Sequence, residues 1–294
     1  MELIHSRQSP EPPSRVVVLG GGFIGGRLRA ALEHAGIPAL APGRSELDLA
    51  AEGAGATLQS LLRAGDAVVV LAALTPNKGR GLAPFMTNLT MAAAVGAALE
   101  KVEVGHVVYV SSDAVYGAAT GRLTETSCAQ PNDLYGMMHL TREVMLRAAT
   151  RAPVAVLRPT LVFGAGDTHN SYGPNRLRRM AHKDGKVVLF GEGEEMRDHV
   201  FVEDVAALTL AVLRHRSAGT LNIASGQAIS YADLARKVAA LFDRPVVIAG
   251  TPRQTPIMHR HFDVTALHKA FPWFRFTPLD DGLARAHREM LEPR

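Results

Sequence analysis

Residues 16–25 constrain this chain most. Val16, Val17, Val18 and Leu19 run straight into Gly20, Gly21 and Gly22, and the chain continues through Phe23, Ile24, Gly25 and Gly26 into Arg27-Leu28-Arg29-Ala30-Ala31-Leu32. β-Branched residues favour a strand, whereas leucine, alanine and arginine favour a helix. Between the two, Gly20, Gly22 and Gly25 spell G-x-G-x-x-G. The first glycine allows a tight turn, the second lets a pyrophosphate approach the backbone, and the third lets the helix pack close to the strand. The helix N-terminus then faces the phosphates. Glycines also mark ordinary turns. Here the strand before and the helix after supply the context of a dinucleotide-binding loop.

The alternation continues downstream. Strands are expected over 16–19, 38–41, 67–72, 106–110 and 154–157, and helices over 23–35, 54–63, 82–100 and 134–151. Such a rhythm implies right-handed crossovers and a parallel sheet covered on both faces. The expected class is therefore α/β, a Rossmann-like doubly wound sheet. Beyond Phe163 the rhythm breaks into short elements over 187–190, 205–214 and 232–241, read as a smaller C-terminal substrate lobe. The expected organisation is a flexible leader over 1–14, an NAD(P)-binding Rossmann domain over 15–163 and a substrate lobe over 164–294. Residues 200–216 are expected to pack back on the first domain. The leader carries Pro10, Pro12 and Pro13 and no apolar signal segment.

Composition narrows the function classes. Of 294 residues, 47% are hydrophobic, enough for a sizeable core. A net charge of +4 suits anionic ligands such as nucleotides. The basic residues are scattered, Arg176, Arg178 and Arg179 being the densest group, so no nucleic-acid partner is expected. The one cysteine, Cys128, excludes an internal disulfide and fits a reducing cytoplasm. No apolar run reads as long enough to span a membrane, and no membrane partner is expected.

A second cluster is Val108-Tyr109-Val110-Ser111-Ser112-Asp113-Ala114-Val115-Tyr116-Gly117. A buried strand there runs into hydroxyl residues at its carboxyl end, where open α/β sheets bind ligands. Downstream, Tyr135 and His139 stand four apart and share one helix face. A serine and a phenol converging on one substrate oxygen can orient it and exchange a proton with it. Taken singly, Ser111 and Ser112 are as well explained as capping residues, and Tyr135 as a half-buried aromatic. Together, behind a dinucleotide loop, they point to catalysis.

With these residues in view the chain resembles the extended short-chain dehydrogenase/reductase family, the NAD(P)-dependent nucleotide-sugar epimerases, dehydratases and reductases. The resemblance covers about residues 15–280. It rests on the glycine loop, Val70-Leu71-Ala72-Ala73, Asn88, the Ser111–Gly117 stretch, Tyr135-Gly136, Arg158-Pro159 and Arg197-Asp198-His199-Val200-Phe201-Val202-Glu203-Asp204-Val205-Ala206. It implies Ser112 as catalytic hydroxyl and Tyr135 as acid/base. It implies cofactor contacts at Gly20, Gly22, Phe23, Ile24, Gly25, Leu71, Ala72, Ala73, Asn88 and Pro159, and Asp48 near the adenine. The substrate would be a nucleotide-activated sugar, undergoing epimerisation or keto-sugar reduction. A 4,6-dehydratase is disfavoured, because its Thr-Asp-Glu triplet falls on Ser112-Asp113-Ala114, without the glutamate.

The chain also departs from the family. Leu19 stands where the first glycine of G-x-x-G-x-x-G would fall, and Leu161 replaces an asparagine. Y-x-x-x-K reads Tyr135-x-x-x-His139. The family's lysine holds the nicotinamide ribose and lowers the tyrosine pKa. A histidine can donate to the ribose, but its charge is lost above a pKa of about 6.5. His139 also leaves open a non-catalytic dinucleotide sensor or scaffold of the same fold.

Cofactor choice turns on Ala41-Pro42-Gly43-Arg44-Ser45-Glu46-Leu47-Asp48. Arg44, with Ser45 beside it, favours the 2′-phosphate of NADP over NAD, and the alternative is Glu46 on a ribose hydroxyl. For the substrate, a polar loop over 164–176 includes Asn175, and Arg197 and Arg260 are candidates to clamp a diphosphate. The plain alternative is ion pairing with Glu194, Glu195 or Asp263. His259 and His261 lack a third ligand in the sequence, so no metal is expected. The small-residue run over 92–98, with the helix over 134–151, is expected either to form a homodimer contact or to pack within the core.

Overall fold

The runs at 16–19, 67–70 and 106–110, apolar but for His106, are buried along their whole length, because helices cover the sheet on both faces. The structure, a computed structural model, describes residues 2–119, 121–167 and 173–291. In chain order it comprises β1 (Ile4–His5), β2 (Val16–Leu19), α1 (Phe23–His34), β3 (Ala39–Leu40), α2 (Ala54–Leu61), β4 (Ala67–Val70), α3 (Leu82–Leu99), β5 (His106–Val110), β6 (Arg122–Leu123), α4 (Leu134–Ala148) and β7 (Val154–Pro159). Then follow β8 (Leu161–Phe163), α5 (Gly173–Asp184), β9 (Lys186–Phe190), β10 (Met196–Phe201), α6 (Val202–Arg214), β11 (Ser217–Ile223), β12 (Ala228–Ser230), α7 (Tyr231–Ala239), β13 (Val247–Thr251), β14 (His261–Phe262), α8 (Thr265–Ala270) and α9 (Leu279–Leu291).

The main sheet has the order β1-β11-β7-β5-β4-β2-β3. All its neighbours are parallel except β1 on β11. From β2 the chain moves outward to β3 and then returns to β4 on the other side. This reversal opens a crevice beyond the carboxyl ends of β2 and β4, where open α/β sheets bind ligands. The Rossmann-like doubly wound fold expected from the alternation is therefore present. One face packs residues of α1, α6 and α8, including Leu28, Leu32, Val205, Leu208 and Leu267. The other packs residues of α2, α3 and α4, including Leu58, Val95, Leu99 and Leu146. α6 follows β10 and returns to the sheet beside α1. A separate apolar cluster, with Leu177, Leu189, Leu234 and Leu283, joins α5, β9, α7 and α9.

Three local expectations change. The leader is anchored: Ile4 and His5 pair with Ala218 and Ser217, and the N–H groups of Arg7 and Glu11 donate to His215 and Arg214. The open edge of β11 offers backbone partners that no local pattern in the leader announces. The strand expected over 67–72 stops at Val70, because the N–H groups of both Leu71 and Ala72 bond the Leu19 carbonyl and the chain turns into the crevice. Finally, α3 has the length and apolarity to cross a membrane, contrary to the expectation from sequence. Its small residues have another explanation. Ala92, Val95, Gly96 and Ala98 are buried, and the helix lies between α2 and α4, Gly55 close to the Ala94 backbone and Gly96 close to the Ala149 side chain.

Candidate active site

The first turn of α1 forms one wall of the crevice. Its N-cap is Gly22, with no side-chain cap and no acidic residue in the first turn, so its end N–H groups stay available for an anion. Gly20 has φ +116, and a Cβ there would lie 2.6 Å from the Ala72 nitrogen. A Cβ on Gly25 would overlap the Gly20 carbonyl oxygen. These two contacts are why the loop needs glycine at the turn and at the helix approach.

The crevice is a cleft of about 520 Å³. Gly20, Gly22, Phe23, Ile24, Gly25, Arg44, Asp48, Leu71, Ala72, Ala73, Tyr135 and His139 all line it. Arg44 sits at its mouth, paired with Asp48 at 3.0 Å. Asp48 also accepts from the Ala50 N–H, and that bond, then Arg44, holds its carboxyl below the usual range. Ser45, Asn88 and Pro159, read from sequence as cofactor contacts, do not line the cleft. Ser45 is exposed and Pro159 buried in β7. The buried Asn88 spends its amide on Leu74 and Pro84, and so fastens the loop after β4 instead.

A second cavity, of about 470 Å³, lies on the other side of Tyr135. Ser112, Asp113, Tyr135, Arg80, Arg176, Arg197, Arg260, Phe190 and Tyr231 line it. Tyr135 lines both cavities. Local structure brings it there: the Asp133 carboxylate caps α4 by accepting from the Gly136 N–H at 2.7 Å. A Cβ on Gly136 would overlap the Ala114 carbonyl oxygen, so glycine lets α4 start directly against the turn that carries Ser112. The Ser112 hydroxyl accepts from the Ala114 N–H at 3.1 Å. Burial pushes the Tyr135 phenol above its ordinary value, with Tyr109 and Asp113 adding to the rise, while Arg142 and Ser112 act the other way.

Four arginines face Asp113, Asp133 and Glu195 in this second cavity. Arg260 donates to the Asp113 carboxylate and carbonyl at 3.0 Å and to the Gly117 carbonyl, bracing the loop below the cavity. Arg197 donates to the Met258 carbonyl and lies 3.8 Å from Glu195. Arg176 lies over the Phe190 ring, 5.7 Å from its centroid. Asn175, expected at the substrate, is instead buried, donating to Asp167 at 2.7 Å and accepting from Arg178. Of the polar loop around it, residues 168–172 lie outside the described residues.

His139 is 3% exposed and meets the Tyr135 ring edge to face at 4.7 Å. Its Nδ1 shares a hydrogen bond with the Tyr109 hydroxyl at 2.7 Å. Burial, reinforced by Arg142, lowers its pKa to about 3. The sequence reading expected a proton on His139 at mildly acidic pH. The ring is held neutral in that range, because burial and the neighbouring Arg142 charge both oppose a proton on it.

The sequence profile of the NAD dependent epimerase/dehydratase family matches residues 16–224, which span both the glycine loop and the Ser112–Tyr135 pair. The chain belongs to this family. Its likeness to the extended short-chain dehydrogenases/reductases is thereby borne out. Family relatives include dTDP-L-rhamnose 4-epimerase of Burkholderia thailandensis, 32% identical over 52% of this chain and 45% of that protein. ADP-L-glycero-D-manno-heptose-6-epimerase of Pseudomonas paraeruginosa is 31% identical over 53% and 52%. The chain thus spans about half the length of the curated relatives it matches. Among solved structures, MoeE5 in complex with UDP-glucuronic acid and NAD has a TM-score of 0.77 and 26% identity, covering 93% of this chain and 98% of its own.

Within this family fold, sequence reasoning missed Arg80, Tyr109 and Arg142. Arg80 follows the loop after β4 and lines the arginine cavity. Tyr109 was within a quoted strand, and the one signal for Arg142 was its place on the Tyr135–His139 face of α4. Ser111 and Arg158 both bind the buried Glu143, at 2.6 and 2.7 Å, a network that ties β5, α4 and β7 together behind the cleft.

Proposed function

We propose that this protein is an NAD(P)-dependent enzyme acting on a nucleotide-activated sugar, as an epimerase or a keto-sugar reductase. One observation carries the reading: Tyr135 is shared by a glycine-walled cleft and an arginine-lined cavity. The cleft fits a dinucleotide. It has uncapped helix amides for a pyrophosphate, Gly20 and Gly25 packed where side chains cannot go, and an unpartnered, buried His139 Nε2 at the cleft wall. Gly20 to Gly25 would hold the pyrophosphate, Arg44 and Asp48 the adenosine end, and His139 the nicotinamide ribose. When bound, the nicotinamide supplies reversible hydride exchange with a sugar carbon. Ser112 orients the sugar oxygen at that carbon, and the Tyr135 hydroxyl takes or returns its proton. Arg197, with Arg80 and Arg176, binds the diphosphate.

A thermal-shift screen of NAD, NADP and nucleoside-diphosphate sugars tests this reading, since a ligand that binds the folded state raises its melting temperature. No shift with any of them refutes it. Arg197→Ala is expected to weaken binding of a bare nucleoside diphosphate by about 10–100-fold, since bonds to a charged group contribute about 1.5–3 kcal/mol. Cofactor affinity should hardly change. Calorimetry reads both, and a wild type that ignores millimolar nucleoside diphosphate sinks the substrate assignment.

NADP is the favoured cofactor, by a small margin, because Arg44 stands at the adenosine end while Asp48 offsets part of its charge. Arg44→Ala is expected to weaken NADPH binding by about tenfold and NADH binding little, one charge-assisted contact being lost. Fluorescence titration of both cofactors decides it, and equal losses would assign Arg44 elsewhere. A homodimer contact is proposed on α4, where Leu134, Met137 and Val144 are exposed, with the exposed Leu82 and Met86 of α3 in place of the mostly buried 92–98 run. The exposed Cys128 thiol suits a reducing, cytoplasmic setting.

A further inference from the structure

Arg142 is fully buried, and no carboxylate pairs with it among the described residues. Its guanidinium donates to the Ala72 carbonyl at 2.8 Å, under the cleft, and lies 5.1 Å from the Tyr109 ring centroid. Its Nε has no partner. A buried cation without a counter-ion is costly, and its charge favours an anion that forms near it. The buried Glu143, next to it in the chain, is already neutralised by Arg158 in a two-pronged pair. Asp113 is held by Arg260. Among the groups around it, the Tyr135 phenol is one whose ionisation the Arg142 charge favours.

His139 cannot take that part, being neutral. Its Nδ1 lies 2.7 Å from the Tyr109 hydroxyl, which burial keeps protonated and so able to donate. The His139 Nε2 is buried, has no partner and belongs to a side chain that lines the cleft.

We propose that Tyr109, His139 and Arg142 form one buried unit behind Tyr135. In it the Tyr109 hydroxyl locks His139 as a neutral Nε2–H donor toward the cleft, and Arg142 supplies the permanent positive charge that stabilises the Tyr135 phenolate. Tyr109 and Arg142 are positioning residues. The inference rests on the dinucleotide reading of the cleft, and its first test does not use a cofactor.

Histidine side-chain nitrogen NMR of the ligand-free protein, with His139→Gln for assignment, should show His139 as a neutral Nε2–H ring from pH 5.5 to 8.5. Tyr109→Phe should abolish the single tautomer. Titration of His139 near pH 6.5, or a proton on Nδ1, overturns the lock. For the charge, carbon NMR of labelled tyrosines in the NAD-bound protein follows the Tyr135 ring from pH 7 to 11. Removing a nearby cation raises a phenol pKa, so Arg142→Met should move Tyr135 ionisation up by about one pH unit or more, and Arg142→Lys should restore it. If Arg142→Met does not fold, Arg142→Gln replaces it in the comparison. Identical titration in all variants, or none below pH 11 in wild type, overturns the role of Arg142. Failure of NAD and NADP to bind refutes the cofactor reading instead, and leaves the histidine result standing.

Discussion

Replacing Tyr135 by Phe is expected to lower turnover about 10²–10⁴-fold, the usual contribution of one positioned acid/base. The ring stays, so its edge-to-face contact with His139 at 4.7 Å stays as well. What disappears is the hydroxyl, at the junction of the two cavities. Affinity for cofactor and for nucleoside diphosphate should therefore change little, because the groups proposed for those ligands are elsewhere. The measurement is chromatographic detection of altered sugar from a panel of nucleoside-diphosphate hexoses, with NAD or NADP present. Ser112→Ala should fall less far, since a serine that orients an oxygen leaves the proton transfer intact. If Tyr135→Phe equals an active wild type, the chemistry lies at another group. If the wild type binds both ligands and alters no sugar, the sensor reading becomes the better one.

The second expectation concerns stability in acid. His106, His139 and His199 are all buried, and desolvation lowers them to about 4, 3 and 3. Unfolded, each has a pKa of about 6.5. Above that pH the rings are neutral in both states and the folded state suffers no penalty. As pH falls below 6.5 the unfolded chain takes up protons that the folded one refuses, so stability is lost downward through this window at about 1.4 kcal/mol per pH unit for each histidine. Asp198 acts in the opposite sense. Burial raises its carboxyl to about 6, so below that pH its folded form binds a proton first and gains stability. Three histidines against Asp198 leave a net loss of about 3 kcal/mol from pH 7.5 to 5.5, which the raised Glu125, Glu203 and Asp204 reduce and the lowered His287 increases. For a domain stabilised by about 5–15 kcal/mol that is a large part of the total. Urea unfolding at the two pH values measures it, and a midpoint that does not move contradicts the buried neutral histidines.

Much of the site was legible because its signals are local. The glycine loop declares itself between a β-branched run and a helix-forming run. Tyr135 and His139 declare a shared face by their four-residue spacing. Ser112 stands just past the end of a mostly apolar strand. In each case a short-range rule of backbone geometry connects residue type to position, and the fold reproduces it.

Other features depended on what lies across the fold. Asn88 and Asn175 have the chemistry of ligand contacts, yet their amides are used on Leu74 and Asp167, partners 14 and 8 residues away. The first residues pair with a strand more than 200 positions along, because an exposed strand edge accepts any segment that reaches it. The apolar length of α3 has its reason in α2 and α4. Above all, a neutral His139 and a buried Arg142 are properties of surroundings. Spacing along the chain determined which side chains share a strand end or a helix face. Only the packing of β5 against α4 decided which of them are desolvated and which partner each one meets, because burial and the partner's position set those energies.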